Sequence, residues 1–508
     1  GKEEEQEEEE EEEQFGEEEE GKQEEEEENV QGPPYESHHL PDGIEIQFSL
    51  DVANRIAEGG PNTLGVFRGR RINKVSGQWE VAIKVWQVPD NLKEQEMEHV
   101  LGKVRKEVEG LKALNSEHVV RIWEYTVDPV VSKKGPVFFI VMDFIQCDLG
   151  QFRMQRGVKD AIDKVSIMGQ LFDTVVYIHE RGVMHRDIKP ENILVNPKKD
   201  GSPFIFLCDF GLGKIEADRD TGSSKSRSRI RANTKDGIGS TGYTAPELLG
   251  NDRAEYDESV DAYSVGCVLF WIYNKEPPFP EQDEVALRMQ TEKDPDLDLF
   301  SPTVIASCVE NYRLHRLRTH YLTHSFERQH LLAYSVVELL VRRRKKRVKL
   351  AAVRAHPYFW DTAQVKGILV ELSNTMVTGR KEKDQAVIAF QNLYNTKMKE
   401  CFDLLNISSW QDQLSADIHL PLKQNADCEN LLQPKWNLNG STFVRAIRNI
   451  YTHIGTLDKQ LEDLISANPY ILSCLWDATY HEVDVKNPPS AFKLSCDGGR
   501  VKLERRAA

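Results

Sequence analysis

No stretch of this 508-residue sequence holds the roughly 18–20 consecutive apolar residues that a membrane-spanning helix needs. No basic n-region followed by a short apolar run opens it, so no secretory signal is legible. Its eight cysteines form no CxxC pair and no metal-ligand spacing. That argues against a disulfide framework or structural zinc and suits a reducing compartment. Apolar residues make up only 39%. The chain opens on Gly1 and not Met. A fragment is one reading of that start, with a sensor or membrane segment upstream as its corollary, and a whole chain is the other.

The shortage of apolar residues is local. Residues 1–29 contain 19 glutamates and two lysines, a net charge of −17 out of −18 for the whole chain. The remainder carries 64 acidic and 63 basic residues and is nearly neutral. Like charges at the density of the tail repel, and the tail has too little apolar surface to bury. It reads as a disordered solvating arm. Its functional alternative is a contact for basic partners or a shield against nucleic acid. Residues 1–46 are assigned to this tail and a Pro/Gly-rich linker, VQGPPYESHHLPDGIEI at 30–46.

From residue 47 the pattern changes. Short β-branched and aromatic runs (VFRGRRI, WEVAIKVW, VVRIWEY, VFFIVMDFI) alternate with turns and predict antiparallel strands. A helical stretch at 94–114 interrupts them. Five strands and one helix make a small lobe. Beyond residue 148 the chain is mainly helical. DKVSIMGQLFDTVVYIHERG reads as an amphipathic helix with a glycine stop. SVDAYSVGCVLFWIYN is apolar nearly all round and predicts a buried helix. A basic run, RRRKKR, occupies 342–347, and HPYFW occupies 356–360. Helical text continues to about 483, and the last 25 residues read as a frayed tail.

Five signatures occur in order: Lys84 in VAIK on a strand, Glu107 in the following helix, HRDIKPEN at 185–192, DFG at 209–211 and APE at 245–247. Together they resemble the protein kinase catalytic domain, and motifs in the right order on the right elements are the test such a match must pass. The resemblance assigns Lys84 to nucleotide phosphates and Glu107 to pairing with Lys84. Asp187 becomes the acceptor of a hydroxyl proton, and Lys189 matches the lysine of serine/threonine kinases. Asn192 and Asp209 are the expected Mg²⁺ ligands, with ATP or ADP as the nucleotide. Met142 precedes the expected hinge, where Asp143 to Ile145 offer backbone groups to adenine. Asp261 should buttress the catalytic loop.

One part departs from that pattern. The phosphate loop should read GxGxxG but reads EGGPNTLG at 58–65, with only Gly60 in register. Glycines allow the backbone to approach phosphates closely, and Pro61 removes a donor. The segment after DFG holds Ser223, Ser224, Ser226 and Ser228 among Lys225, Arg227, Arg229 and Arg231. It reads as a basic loop, or as a phosphorylation cluster whose added charge pairs with arginines.

Past HPYFW, about 120 further residues follow with no Pro/Gly/Ser spacer, so the extension should pack on the large lobe. In STFVRAIRNIYTHIG at 441–455, Val444, Ile447, Ile450 and Ile454 recur at helical spacing. Asn449 and His453 share a face with Arg448 beside them. An arginine, an amide and a histidine on one helix surface suit phosphodiester chemistry. A solvated helix face is the plainer reading.

HPYFW at the joint, FVRAIRNIYTHI at 443–454 and NPYIL at 468–472 resemble the kinase-extension-nuclease family, which includes the inositol-requiring sensor kinase of the unfolded protein response and ribonuclease L. The resemblance covers residues 47–483. It implies an α+β bilobal protein-kinase fold at 47–355, an all-α nuclease domain at 356–483 and a disordered tail at 484–508. It also implies a nucleotide-occupied kinase that dimerises, or forms a higher oligomer, and thereby activates a metal-independent endoribonuclease. RNA is then the substrate and Arg448, Asn449 and His453 the catalytic set, with no cofactor at the nuclease site. The location implied is cytoplasmic, or the cytosolic face of a membrane for a fragment of a membrane sensor. Arg347 matches a structural arginine of the family. Where the family carries a tyrosine, Trp436 stands here, and an indole N–H donates but cannot act as a base. Losing a general base costs about 10²–10⁴ in rate.

Three readings stay open. The first is a kinase coupled to an endoribonuclease. The second is a serine/threonine kinase whose extension is a docking module, which Trp436 favours. The third is a non-enzymatic scaffold, which Glu58, Pro61 and Thr63 favour.

Overall fold

The structure is a computed structural model. It describes residues 35–40, 43–58, 63–87, 114–126, 130–132, 135–155, 161–210, 240, 242–248, 255–278, 328–341, 347–405, 439–453, 470–479, 492–497 and 500–505, with isolated positions between them. The chain divides into two compact units, one comprising residues 1–104 and 122–144, the other residues 105–121 and 145–508.

The first unit is an antiparallel sheet. Its strands are β1 (Glu36–Leu40), β2 (Ile44–Phe48), β3 (Arg55–Ala57), β4 (Thr63–Asn73), β5 (Gly77–Gln87), β6 (Ile122–Tyr125), β7 (Val130–Ser132) and β8 (Gly135–Asp143). They run in the order β1-β2-β4-β5-β8-β6, with β3 on β4 and β7 on β8. Period-two alternation sends Val81, Ile83 and Val85 of β5 to one face, where they meet Val137, Phe139 and Val141 of β8 and Ile44, Ile46 and Phe48 of β2. Ala82, Lys84 and Trp86 point to the other face. Gly69 sits where β2, β4 and β5 crowd. A Cβ there would lie 2.4 Å from Ile83 Cδ1 and 2.6 Å from the Gln47 carbonyl.

The expected linker at 30–46 is corrected here. Residues 36–40 and 44–48 are paired strands, in register Glu36↔Phe48 to Leu40↔Ile44. The text ESHHL hid β1 because an edge strand buries so little. His38 alone is buried, its ring packed on Phe48 and Phe139 at 4.9 and 5.7 Å. Instead of five strands, the described residues of the unit form eight. The Glu-rich residues 1–34 and most of the helical segment at 94–114 lie outside the described residues.

The second unit begins with β9 (Cys147–Asp148), α1 (Leu149–Gln155), α2 (Ala161–Glu180) and β10 (Val183–Met184). Then come β11 (Ile193–Pro197), β12 (Pro203–Leu207), β13 (Lys214–Ile215), β14 (Ile230–Arg231) and β15 (Glu255–Tyr256). Next is α3 (Ser259–Asn274), whose buried residues run from Val260 to Leu269 without a break, as its apolar sequence predicts. It ends at Lys275, in a left-handed C-cap with φ 73°. α4 (Arg328–Leu340) packs along α3, and α5 (Leu350–Val353) packs on α2.

A 3₁₀ turn at Pro357–Phe359 carries the chain from α5 into α6 (Thr362–Lys381). Asp361 opens α6 with a capping box: its side chain accepts from Gln364 N while Gln364 reaches back to Asp361 N. α7 (Gln385–Leu405), α8 (Gly440–His453) and α9 (Tyr470–Thr479) follow. These helices fall in the same unit as α2 and α3. The joint residues show why. His356 is fully buried against Trp476 of α9 at 4.8 Å, and Phe359 meets Phe172 of α2 edge-on at 4.9 Å.

Two expectations are corrected at the C-terminus. Residues 484–508 are not wholly a frayed tail, and the folded chain runs on past 483, the expected end of the extension. β16 (Phe492–Asp497) and β17 (Arg500–Arg505) pair as a hairpin, Phe492↔Arg505 to Asp497↔Arg500. The hairpin buries Phe492 against Phe390 of α7 at 5.0 Å and buries Leu503. Alternating Lys and Leu over so short a segment reads as polar text, and only the helices beneath supply its apolar partner.

Candidate active site

In the second unit the site is built around one buried carboxylate. Asp261, on α3, is fully buried and accepts from His185 N at 2.8 Å, Arg186 N at 2.7 Å and the His179 ring at 2.8 Å. Burial alone would raise its pKa. The His179 hydrogen bond and charge, with help from His185 and Arg186 N–H, outweigh that and hold it below the usual carboxylate value. This clamp fixes a loop in which Arg186 has φ 67°, a conformation non-glycine residues seldom adopt. The expected buttressing role of Asp261 is therefore seen in the geometry.

His185 extends the clamp. Its Nε2 faces the Cys208 carbonyl at 2.8 Å and its Nδ1 faces Asp187 N at 3.3 Å. A carbonyl only accepts and an amide only donates, so the proton belongs on Nε2. Its ring also packs against Phe210, centres 4.5 Å apart and planes tilted by 59°. The loop after Met184 and the loop carrying Asp209 are thereby tied together. Asp209 itself has φ 60°.

The resulting cluster brings together Asp187, Lys189 and Asn192. Lys189 Nζ lies 3.0 Å from Asp187 Oδ2. Asn192 Nδ2 donates to the Asp187 carbonyl at 2.7 Å and to Oδ2 at 3.0 Å. Turning its amide nitrogen toward Asp187 leaves Asn192 Oδ1 as an oxygen for a hard cation, and Asp209 supplies a carboxylate. The donor set fits Mg²⁺.

Ser240 completes the cluster, and sequence reasoning missed it. Its N–H and Oγ–H both reach Asp187 Oδ1, at 3.1 and 3.0 Å, while Lys189 Nζ donates to Ser240 Oγ at 2.5 Å. Its carbonyl accepts from Thr244 Oγ1 at 2.9 Å. Arg186, likewise missed, donates to Tyr256 OH at 2.8 Å. A serine five residues before Ala245 carries no signal of its own. Only the return of the chain past the catalytic loop singles it out. Glu247 of APE forms a two-pronged ion pair with buried Arg347, whose Nη2 is 2.8 Å from Oε2 and whose Nη1 also meets Oε1. Arg347 is thus structural, as the resemblance implies.

In the first unit, Lys84 is buried on β5, opposite Val66 of β4, with its Nζ 5.1 Å above the Trp86 ring. Asp143 ends β8, and its carboxylate accepts from Trp123 Nε1 at 2.6 Å. Ile145, in the second unit, is buried. Gly60, Glu107, Ser223, Ser224, Ser226 and Ser228 lie outside the described residues.

In the extension, α8 is held at its start by Asn439, which accepts from Thr442 N at 2.9 Å, and by Asn395 of α7, which accepts from Ser441 N at 2.8 Å. Gly440 permits that approach, since a Cβ there would sit 2.5 Å from Met398 Cγ. Of the predicted stripe, Val444 and Ile447 are buried, with Phe443 beside them, while the side chains of Ile450 and Ile454 lie outside the described residues. Arg448 Nη1 donates to Asn449 Oδ1 at 2.9 Å, and Asn449 is only 2% exposed. The plain picture of a solvated helix face is therefore corrected at Asn449, which is buried in a helix on which α6 and α7 pack. The backbone of His453 is the last residue of α8, while its side chain and Trp436 lie outside the described residues.

Comparison with known proteins bears on the family. The protein kinase domain profile matches residues 66–359. The chain is similar to the serine/threonine-protein kinase chk-2 of Caenorhabditis elegans, 32% identical over 179 residues, 35% of this chain and 34% of that one. It is also similar to the sporulation protein kinase mde3 of Schizosaccharomyces pombe, 32% identical over 240 residues, 46% of this chain and 39% of that one. A third relative is the serine/threonine-protein kinase cds1 of the same yeast, 30% identical over 214 residues, 41% of this chain and 42% of that one. The match thus spans well under half the length of these relatives. The two units are the sheet-rich and helical lobes of one fold, and the chain belongs to the protein kinase family.

Proposed function

We propose that the chain is a nucleotide-dependent serine/threonine protein kinase coupled to a dimerisation-activated, metal-independent endoribonuclease. The cluster of Asp187, Lys189, Asn192 and Ser240 carries the kinase half. Asp187 Oδ2 accepts the proton of an attacking serine or threonine hydroxyl, and Lys189, 3.0 Å away, offsets the charge that develops. Ser240 holds the other carboxylate oxygen. Mg²⁺ at Asn192 and Asp209 would neutralise phosphate charge, with Lys84 as the phosphate contact of the sheet-rich lobe.

Support for the nuclease half is the RN-x-x-x-H pattern on α8, within a helical extension that packs directly on the kinase helices through His356 and Trp476. In this reading Arg448 neutralises the phosphodiester and His453 protonates the leaving 5′-oxygen. The 2′-hydroxyl attacks phosphorus, its proton passes to solvent because Trp436 has no base, and a 2′,3′-cyclic phosphate results. RNA is the substrate, a homodimer or higher oligomer the active form, and the cytoplasm or the cytosolic face of a membrane the location.

A second reading is favoured by Asn449. It is buried and its carbonyl oxygen is taken by Arg448, which suits a structural helix in a docking module. Cleavage of RNA in EDTA across protein concentrations, with and without an ATP analogue, separates the two. Concentration-dependent cleavage abolished by His453→Ala supports the nuclease. Peptide phosphorylation without any cleavage leaves the docking module. Loss of phosphorylation in Asp187→Asn is expected either way.

A further inference from the structure

We infer that Trp123 is a positioning residue for adenine recognition, acting through Asp143 at the end of β8. The inference rests on the kinase reading above and names what sets base selectivity at that site.

Alternation along the sheet separates the two roles. Lys84 pairs with Ile140 and Ala82 with Met142, so these residues share one face. Val81 pairs with Asp143, so Asp143 points to the opposite face, with the apolar core of β2, β4, β5 and β8. Trp123 packs against that core from β6. Its indole N–H, a donor with no acceptor capacity, reaches Asp143 Oδ1 at 2.6 Å. A hydrogen bond to a carboxylate is stronger than a neutral one, and this one is short. Trp123 therefore stands on the far side of the sheet from Lys84 and reaches the end of β8.

The indole is itself held. Trp79 of β5 stacks on it with ring centres 6.3 Å apart and planes 20° from parallel. The Arg71 guanidinium lies 5.0 Å from the Trp123 ring centre and 5.7 Å from that of Trp79. Arg71 also donates to Glu124 Oε1 from Nε at 3.1 Å and from Nη2 at 2.7 Å. One residue further along, Phe144 lies under Arg68, 5.0 Å from its guanidinium, and Arg68 is paired with Glu80 at 2.7 Å. Three cation–aromatic contacts and two ion pairs thus converge on residues 143 and 144, where β8 reaches its last ladder position, Asp143 opposite Val81. The main chain there is the predicted adenine contact, and rigid side-chain anchoring is how a backbone acceptor is kept in place.

Steady-state kinetics of the full chain with ATP and with GTP test this. Trp123→Phe keeps a ring in the stack and removes the N–H. KM for ATP should rise about tenfold, equivalent to about 1.4 kcal/mol, at unchanged kcat, while KM for GTP barely moves. Trp123→His, which restores a ring N–H, should recover part of the loss. An unchanged KM for ATP in Trp123→Phe overturns the inference, as does an equal loss for ATP and GTP. Wild-type protein with neither turnover nor a nucleotide-dependent thermal shift overturns the kinase reading, and the inference with it. Wild type and Trp123→Phe binding ATP equally overturns the inference alone.

Discussion

Ser240 and Asp187 are joined twice, by the Ser240 backbone N–H at 3.1 Å and its hydroxyl at 3.0 Å, both to Asp187 Oδ1. The activation segment thus reaches the catalytic carboxylate directly and occupies the oxygen that Lys189 and Asn192 leave. Removing the hydroxyl in Ser240→Ala keeps one of the two contacts. Peptide-kinase kcat should fall about tenfold, the worth of one hydrogen bond to a charged group. Asp187→Asn should cost about 10²–10⁴ in kcat. Nucleotide binding, read by thermal shift, should survive both.

Arg347 and Glu247 stabilise the same segment from below. Arg347 is 1% exposed at its side chain and also donates to the Ser259 carbonyl at 3.0 Å. Removing one partner strands the other charge in a dry site. Arg347→Met is expected to destabilise the fold by about 3–5 kcal/mol, and Glu247→Gln by less because an amide can still accept. Urea unfolding of the two single variants and the double variant measures the coupling.

His356 makes the joint sensitive to acid. Burial pushes its pKa from 6.5 down to about 3. Its Nδ1 accepts from Tyr358 N at 3.1 Å, so the proton on Nε2 faces Ser335 Oγ at 3.1 Å. Above pH 6.5 the ring is neutral in both folded and unfolded chains. As pH falls from 6.5 toward 3, only the unfolded chain takes up the proton, so stability drops across that window by up to about 5 kcal/mol. The melting temperature should fall with this slope between pH 6.5 and 4. His356→Phe should start lower, since Tyr358 N and Ser335 lose a partner, and should show a flatter slope.

The C-terminal hairpin is expected to be part of the folded extension. Leu503 and Phe492 are buried, and Glu371 of α6 meets the Leu503 backbone and the Lys502 charge. Burial raises the Glu371 pKa. Truncation after residue 490 uncovers α6 and α7 and should cost about 3 kcal/mol or more, at roughly 1.5–3 kcal/mol for each large apolar side chain. An unchanged urea midpoint in the truncated chain would refute it.

Some of this molecule could be read from the sequence, and the division follows the range of the forces involved. HRDIKPEN, DFG and VAIK were legible because each sits on a local element whose pattern is visible, and Asp187, Asn192 and Lys189 are separated by only a few residues. The buried helix α3 was legible from its own unbroken apolar run. The burial of Val444 and Ile447 was legible from helical period. Strand β1 was not, since an edge strand buries one residue in five and reads as polar text. The hairpin β16–β17 was not, because its apolar positions have meaning only against α6 and α7.

By itself, then, the sequence determined the family and the residues near Asp187, because local pattern and short spacing carry that information. Tertiary structure alone decided that Ser240, 53 residues on, closes the catalytic cluster. It alone decided that Asn449 is buried, and that Trp123 on β6 grips Asp143 on the neighbouring strand β8. Such contacts join residues that the chain keeps apart. Packing against a distant element chooses them, and no pattern along the backbone records that choice.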